Sequence, residues 1–118
     1  MSKADLSKRL DRVNEIRLSV KGRKSGKDIP RPVWFVHEGN KIYLLPVNGS
    51  DTEWYKNALK NPTITLSAND DSFTAEVKPI TDPARVKEVV AKFRAKYGDD
   101  DVEKYYSKFD VAAEVTLH

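Results

Sequence analysis

Residues 33–47 read Val33-Trp34-Phe35-Val36-His37-Glu38-Gly39-Asn40-Lys41-Ile42-Tyr43-Leu44-Leu45-Pro46-Val47. Two runs rich in β-branched, aliphatic and aromatic residues flank Glu38-Gly39-Asn40, a turn that suits a hairpin. The spacing predicts strands over Val33 to His37 and Lys41 to Val47. Pro30 and Pro32 lie just before the first, so it begins at an edge or by an irregular entry, because proline has no N–H to give a ladder.

The same logic extends outward. Before the hairpin, Ile16, Leu18 and Val20 alternate with Arg17 and Ser19, the period of a half-buried strand. Lys21 to Asp28 then reads as a loop with Gly22 and Gly26. Asp5 to Asn14 reads as a short amphipathic helix with Leu6, Leu10 and Val13 on one side, and not as a signal peptide. After the hairpin, Ser50 and Glu53 have the spacing of a capping box, and a short helix runs to Lys60 before Asn61-Pro62 stops it. Thr63 to Ala68 and Phe73 to Ile80 form a strand pair around Asn69-Asp70-Asp71. Asp82-Pro83 opens a longer helix carrying Val86, Val89, Val90, Phe93 and Tyr97 on one face, and Gly98 ends it. A short acidic helix from Asp101 to Lys108 and a last strand from Val111 to Leu117 follow. The expected fold is mostly β with peripheral helices (α+β): one domain over residues 1–118, a small barrel of about six largely antiparallel strands.

Composition removes several classes of chemistry. The chain has 118 residues, 39% hydrophobic and 33% charged, which suits a folded domain and not a disordered one. It has no cysteine, so disulfides, thiolate nucleophiles and iron–sulfur clusters are excluded. No apolar run is long enough for a membrane span, and a cytoplasmic location is expected. The histidines are His37, beside the hairpin turn, and His118, the last residue, and no metal-ligand spacing appears. With so few reactive side chains, an enzyme of this sequence needs a cofactor to carry its reaction.

Charge is uneven. Residues 1–62 hold 13 basic and 7 acidic residues, whereas 63–118 hold 8 and 11. Arg17 to Arg31 is the densest basic stretch, with Arg17, Lys21, Arg23, Lys24, Lys27 and Arg31 against Asp28 alone. It suits an anion, or it is simply a solvated loop. Within it, Gly22-Arg23-Lys24-Ser25-Gly26-Lys27 follows a strand. Two glycines let the backbone turn and present N–H groups, and Arg23, Lys24 and Ser25 add donors for a phosphate. It is not a Walker A loop, because only three residues separate the glycines and Asp28 follows Lys27.

Val20-Lys21-Gly22-Arg23-Lys24-Ser25-Gly26, Pro32-Val33-Trp34-Phe35-Val36, Asn48-Gly49-Ser50, Trp54-Tyr55-Lys56-Asn57 and Lys60-Asn61-Pro62, in that order, resemble the deazaflavin-dependent nitroreductase family. Its members are split β-barrels within the pyridoxamine-phosphate-oxidase-like flavin-binding superfamily. The resemblance spans roughly residues 16–117. It implies binding of the deazaflavin coenzyme F-420, or of FMN, in a groove at a homodimer interface, with hydride passing to a quinone, nitro compound or activated double bond. It places the phosphate on Arg23, Lys24, Ser25 and Gly26, and the ring against Pro46, Val47, Asn48 and Gly49. Trp54 matches a helix aromatic of the family, and Tyr97 matches a substrate-side tyrosine, the one catalytic candidate. The family often has a basic residue where Ile29 stands, and Arg31, on the same strand face, can substitute. A lysine often precedes the glycines where Asn48 stands. Tyr105 and Tyr106 have no clear family match.

The aromatic residues also have packing roles open to them. Trp54 is either a core anchor or a groove wall, Trp34 and Phe35 suit the barrel core, and Tyr97 closes an apolar helix stripe. Asn57 braces the helix or touches a ligand. Three functions follow: an oxidoreductase using a reduced deazaflavin or flavin, a non-catalytic carrier of such a cofactor, or a small nucleic-acid-binding barrel. The acidic C-terminal half argues against the last. No metal is implied.

Overall fold

A computed structural model describes residues 13–68 and 71–116. The helix expected over Asp5 to Asn14 lies outside the described residues, save Val13 and Asn14, which are not helical. So does most of the Asn69-Asp70-Asp71 turn.

Among the described residues seven strands form: β1 (Ile16–Lys21), β2 (Asp28–Val33), β3 (Phe35–Glu38), β4 (Lys41–Leu44), β5 (Thr63–Ala68), β6 (Asp71–Ile80) and β7 (Ala112–Thr116). Their order is β2-β1-β5-β6-β7-β4-β3, and every neighbouring pair is antiparallel. β2 and β3 end the row, yet only Trp34 separates them in the chain. The two ends must therefore lie close together, and the sheet curls on itself as a split β-barrel. The strand β6 serves both halves, pairing β5 through Glu76 and β7 from Val77 onward.

The additional strand is β2. Prolines at 30 and 32 point to an edge or an irregular entry, and the sequence predicts only one strand here, from Val33. Instead Pro30 pairs with Ser19 and Pro32 with Arg17. Alternate residues of an antiparallel strand turn their N–H groups to opposite sides, so two prolines two apart leave the donors of one side intact. An edge strand needs no more than that.

Burial follows the alternation. Ile16, Leu18 and Val20 of β1 are buried with Ile42, Leu44, Ile64, Leu66 and Val115 inside the barrel. Helix α1 (Glu53–Lys60) adds Trp54, Tyr55 and Ala58 to that core. Helix α2 (Pro83–Tyr97) lies on the other face, with Val86, Val89 and Phe93 buried against Val36, Leu45, Ile80 and Ala112. Its cap is as expected: the Ala84 N–H donates to Asp82 Oδ1 at 3.2 Å, and Gly98 leaves the helix at φ +95. Helix α3 (Asp99–Tyr105) starts two residues earlier than expected, with Asp99, Asp100 and Asp101 in its first turn, where acidic groups are favoured.

The capping box at Ser50 does not form. Gly49–Asp51 is a short 3-10 turn, and Thr52 precedes α1. Ser50 turns instead to Asp110, its hydroxyl donating to Oδ2 at 2.6 Å and its N–H to Oδ1 at 2.9 Å. Among the described residues no helix is long and apolar enough to cross a membrane.

Candidate functional site

A groove opens where β2, the segment after β4, the start of α1 and the end of α3 meet. One part, about 390 Å³, is walled by Val33, Trp34, Leu45, Val47, Trp54, Tyr105 and Tyr106, with Glu15 and Pro32 at its border. A second part, about 550 Å³, is walled by Arg31, Asn48, Asp51, Thr52 and Glu53. Pro32, Val33, Val47 and Trp54 line both, so the parts are continuous. The groove is aromatic and aliphatic at one end and polar at the other, within the size range of small-molecule sites.

Of the candidate residues read from the sequence, Arg31, Val47, Asn48 and Trp54 line this groove. Arg31 lines the polar end, and its Nε is buried without a hydrogen-bond partner among the described residues. Val47 is exposed in the wall. Trp54 is 3% exposed and packs in the barrel core while also lining the groove. Asn48 is fixed through its neighbours: its N–H donates to Thr52 Oγ1 at 2.7 Å, and its Oδ1 accepts from the Ser107 hydroxyl at 2.6 Å.

Pro46 and Gly49 stand behind the wall. The Gly49 N–H donates to the Pro46 carbonyl at 3.1 Å. Gly49 sits at φ +56, and a Cβ there would come within 2.0 Å of Asp110 Oδ1. The glycine is needed because the backbone is left-handed and a carboxylate occupies the side-chain space.

The basic loop is anchored to α1. The buried Asn57 holds its Oδ1 toward Arg23, accepting from the backbone N–H at 3.1 Å and from the guanidinium at 2.8 Å. The guanidinium also pairs with Glu53 at 2.8 Å. That hydrogen bond, and the Arg23 charge behind it, hold the Glu53 carboxyl below its ordinary value. Arg23 thus reaches the polar end only through Glu53, which lines it. Lys24, Ser25 and Gly26 form the exposed tip and line neither part. The Ser25 Oγ accepts from the Lys27 N–H at 3.2 Å, and Gly26 takes φ +71.

Tyr97 lies behind the groove. Its ring stacks on Trp34 at 4.2 Å with an 8° angle between planes. Its hydroxyl accepts from the Phe35 N–H at 3.1 Å and faces the Asn14 and Phe35 carbonyls at 2.7 and 2.9 Å. Burial pushes the phenol up to about 12, against the opposing effect of the Phe35 hydrogen bond.

The aromatic end does not emerge from the sequence. Trp34, expected in the barrel core, falls between β2 and β3 and lines the groove. Tyr105 meets it edge-on at 5.5 Å, and Tyr106 lies at 5.9 Å. Tyr106 is buried, which raises its phenol well above the ordinary value. Adjacent tyrosines ending a short acidic helix are the available signal: large aromatics there have little of their own helix to pack on. The segment after them is clasped to the wall, with the Ser107 N–H donating to the Val47 carbonyl at 2.8 Å and Lys108 paired with Asp51 at 3.2 Å.

A family model described as "Uncharacterized protein conserved in bacteria (DUF2255)" matches residues 6–117, and the chain belongs to that family. No curated protein matches the sequence. Among solved structures, an F-420-H2 dependent reductase (FDR-A) shares 20% identity over 86% of this chain and 93% of its own, at TM-score 0.67. A candidate pyridoxamine 5'-phosphate oxidase from Listeria innocua shares 11% over 97% and 91%, at 0.71. The heme storage protein HutZ from Vibrio cholerae shares 11% over 98% and 89%, at 0.72. At such identities the likeness is one of fold, a split β-barrel with peripheral helices.

Proposed function

We propose that the chain is an oxidoreductase that binds coenzyme F-420 or FMN in this groove and serves hydride transfer to a quinone, nitro compound or enone, working as a homodimer. The observation that carries the reading is Arg31 Nε, a buried cationic donor left without a partner at the polar end of an otherwise aromatic groove. A ligand flat at one end and anionic at the other complements that arrangement, and a charge-assisted bond would satisfy the orphaned donor. The similarity to an F-420-H2 dependent reductase points the same way.

The residues fit such a group. Arg31 would hold its phosphate, with Asn48 and the Thr52 region beside it, while Val47 and Trp54 would flank its ring. When bound, the cofactor supplies the hydride and the redox potential. The chain itself binds, orients and excludes water. Trp54 is fixed by the core and gives a rigid wall. Tyr97, whose hydroxyl is engaged by backbone, acts through Trp34 and not on a reacting atom. Tyr106 keeps its proton, since burial raises its phenol. The proton that completes reduction of the acceptor comes from solvent at the open rim.

The test is fluorescence titration with FMN and with oxidised F-420, using the native chain, Arg31→Ala and Lys24→Ala. Micromolar binding of one cofactor is expected, about tenfold or more weaker in Arg31→Ala. Lys24→Ala should have a smaller effect, since its side chain is at the exposed loop tip. Failure of both cofactors to bind would overturn the reading. Binding without oxidation of the reduced cofactor by quinones or nitro compounds would leave a carrier.

A further inference from the structure

The polar part of the groove holds two carboxylates, yet its unengaged groups are donors. Asp51 and Glu53 both line it. Each is engaged by a cation from outside the lining, Asp51 by Lys108 at 3.2 Å and Glu53 by Arg23 at 2.8 Å. Two donors in the lining remain. One is Arg31 Nε. The other is the side-chain amide nitrogen of Asn48, which no hydrogen bond engages among the described residues. An asparagine offers a ligand either its acceptor or its two donors, according to which end its neighbours occupy. Here the Ser107 hydroxyl donates to Oδ1 at 2.6 Å, which leaves the NH2 group as the open end. The other contact of that hydroxyl, with the Val47 carbonyl at 3.3 Å, is longer. Ser107 itself is held in place by backbone. Its N–H donates to the Val47 carbonyl at 2.8 Å, Asn48 and Lys108 form a parallel bridge, and the buried Tyr106 precedes it.

We propose that Ser107 is a positioning residue for anion recognition: it orients Asn48 so that the amide NH2 joins Arg31 in receiving the phosphate of a ligand. Lys108, the next residue, works in the same direction by engaging the Asp51 carboxylate, which would otherwise repel that phosphate. The two residues after Tyr106 thus prepare the polar end from the side opposite Arg31, and Ser107 does so without touching the ligand. When its hydroxyl is removed, Asn48 is free to turn its carbonyl oxygen into the groove. The polar end then presents an acceptor where a phosphate needs a donor, and an unmatched acceptor beside an anion costs affinity. That the phosphate belongs to FMN or F-420 rests on the oxidoreductase reading; the orientation of Asn48 follows from the hydrogen bonds around it.

The experiment compares FMN with riboflavin or, for the deazaflavin, F-420 with its phosphate-free ribityl precursor. Each pair shares a ring and ribityl chain and differs at the phosphate end. Ser107→Ala should weaken the phosphate-bearing member about three- to tenfold and the phosphate-free member by less than about twofold. Ser107→Thr, which keeps the hydroxyl, should restore native affinity. A general disturbance of the wall would weaken both members alike, and that result would overturn the proposal, as would an alanine variant that binds both as the native chain does. A second arm uses inorganic phosphate and no cofactor. The Asn48 side-chain amide signals, assigned with Asn48→Ala, should shift on adding phosphate to the native chain and to Ser107→Thr, and much less in Ser107→Ala. The two readings therefore fail separately. Phosphate shifts that depend on Ser107, without binding of FMN or F-420, would remove the oxidoreductase and keep the anion site. Cofactor binding with Asn48 signals indifferent to phosphate would do the reverse.

Discussion

Arg23 and Arg31 carry the same charge but are differently placed to use it. Arg31 has a buried donor with nothing to satisfy it. Arg23 already engages its guanidinium with Glu53 and Asn57. An anion at the polar end must compete with Glu53 for Arg23, and it meets the Glu53 carboxylate as a like charge in the wall. Glu53→Gln should therefore tighten phosphate-bearing ligands, by roughly two- to fivefold given the modest strength of exposed ion pairs. The check is a titration of FMN or F-420 at two salt concentrations. The gain should shrink at high salt, because exposed charges are screened. A weaker affinity in Glu53→Gln would mean that the Arg23–Glu53 pair organises the site and does not compete with it.

The loop over residues 22–26 is held as an element by one side chain of α1. Asn57 accepts from both the backbone and the guanidinium of Arg23. Asn57→Ala should cost about 1–3 kcal/mol by leaving the Arg23 N–H unsatisfied. It should also speed hydrogen exchange across the loop, whereas Asn57→Asp, which still accepts, should largely preserve protection. Denaturant titration and exchange mass spectrometry read the two effects. This pairing of a Gly-rich loop with an asparagine on the next helix is visible in the sequence only as two separate motifs. Most elements are legible there because their signals are local: the Ile16, Leu18, Val20 alternation, the Gly39 turn, and the Asp82-Pro83 start of α2. The strand β2 is not, because proline propensity speaks against a strand and only an edge position makes two prolines tolerable. Ser50 fails as a cap because Asp110, sixty residues away in sequence, is the better partner. At the site, Arg31, Val47, Asn48 and Trp54 can be named from the sequence. Glu15, Tyr105 and Tyr106 cannot, since only the curling of the sheet and the placement of α3 bring them to Trp34.

Across the whole molecule, the helix α2 is tied to the sheet by a buried carboxylate. Glu114 lies on β7, between inward-facing Ala113 and Val115, and is 6% exposed. It pairs with Lys41 on β4 and, at 2.8 Å, with Arg85 on α2. Burial alone would raise its carboxyl, but the hydrogen bonds and charges of Lys41 and Arg85 outweigh that and leave it below the ordinary 4.5. Asp110, which holds the 3-10 turn through Ser50, is likewise lowered: its bonds to Ser50 and the Lys108 charge outweigh partial burial. A carboxyl depressed in the folded state gives stability that is present above its unfolded value and is lost as pH falls through the folded one. The protein should therefore hold its stability from neutral pH down to about 5 and lose it progressively below about 4.5, as these groups take up protons. Glu114→Gln should be less stable at pH 7, by about 1–3 kcal/mol, because Lys41 and Arg85 keep their charge with no anion between them. The two chains should converge toward pH 3, where the native carboxyl is itself being neutralised. Urea unfolding at pH 7, 5, 4 and 3 measures this. A gap between native and Glu114→Gln that stays constant across the series would show that the carboxylate acts there through packing, not charge.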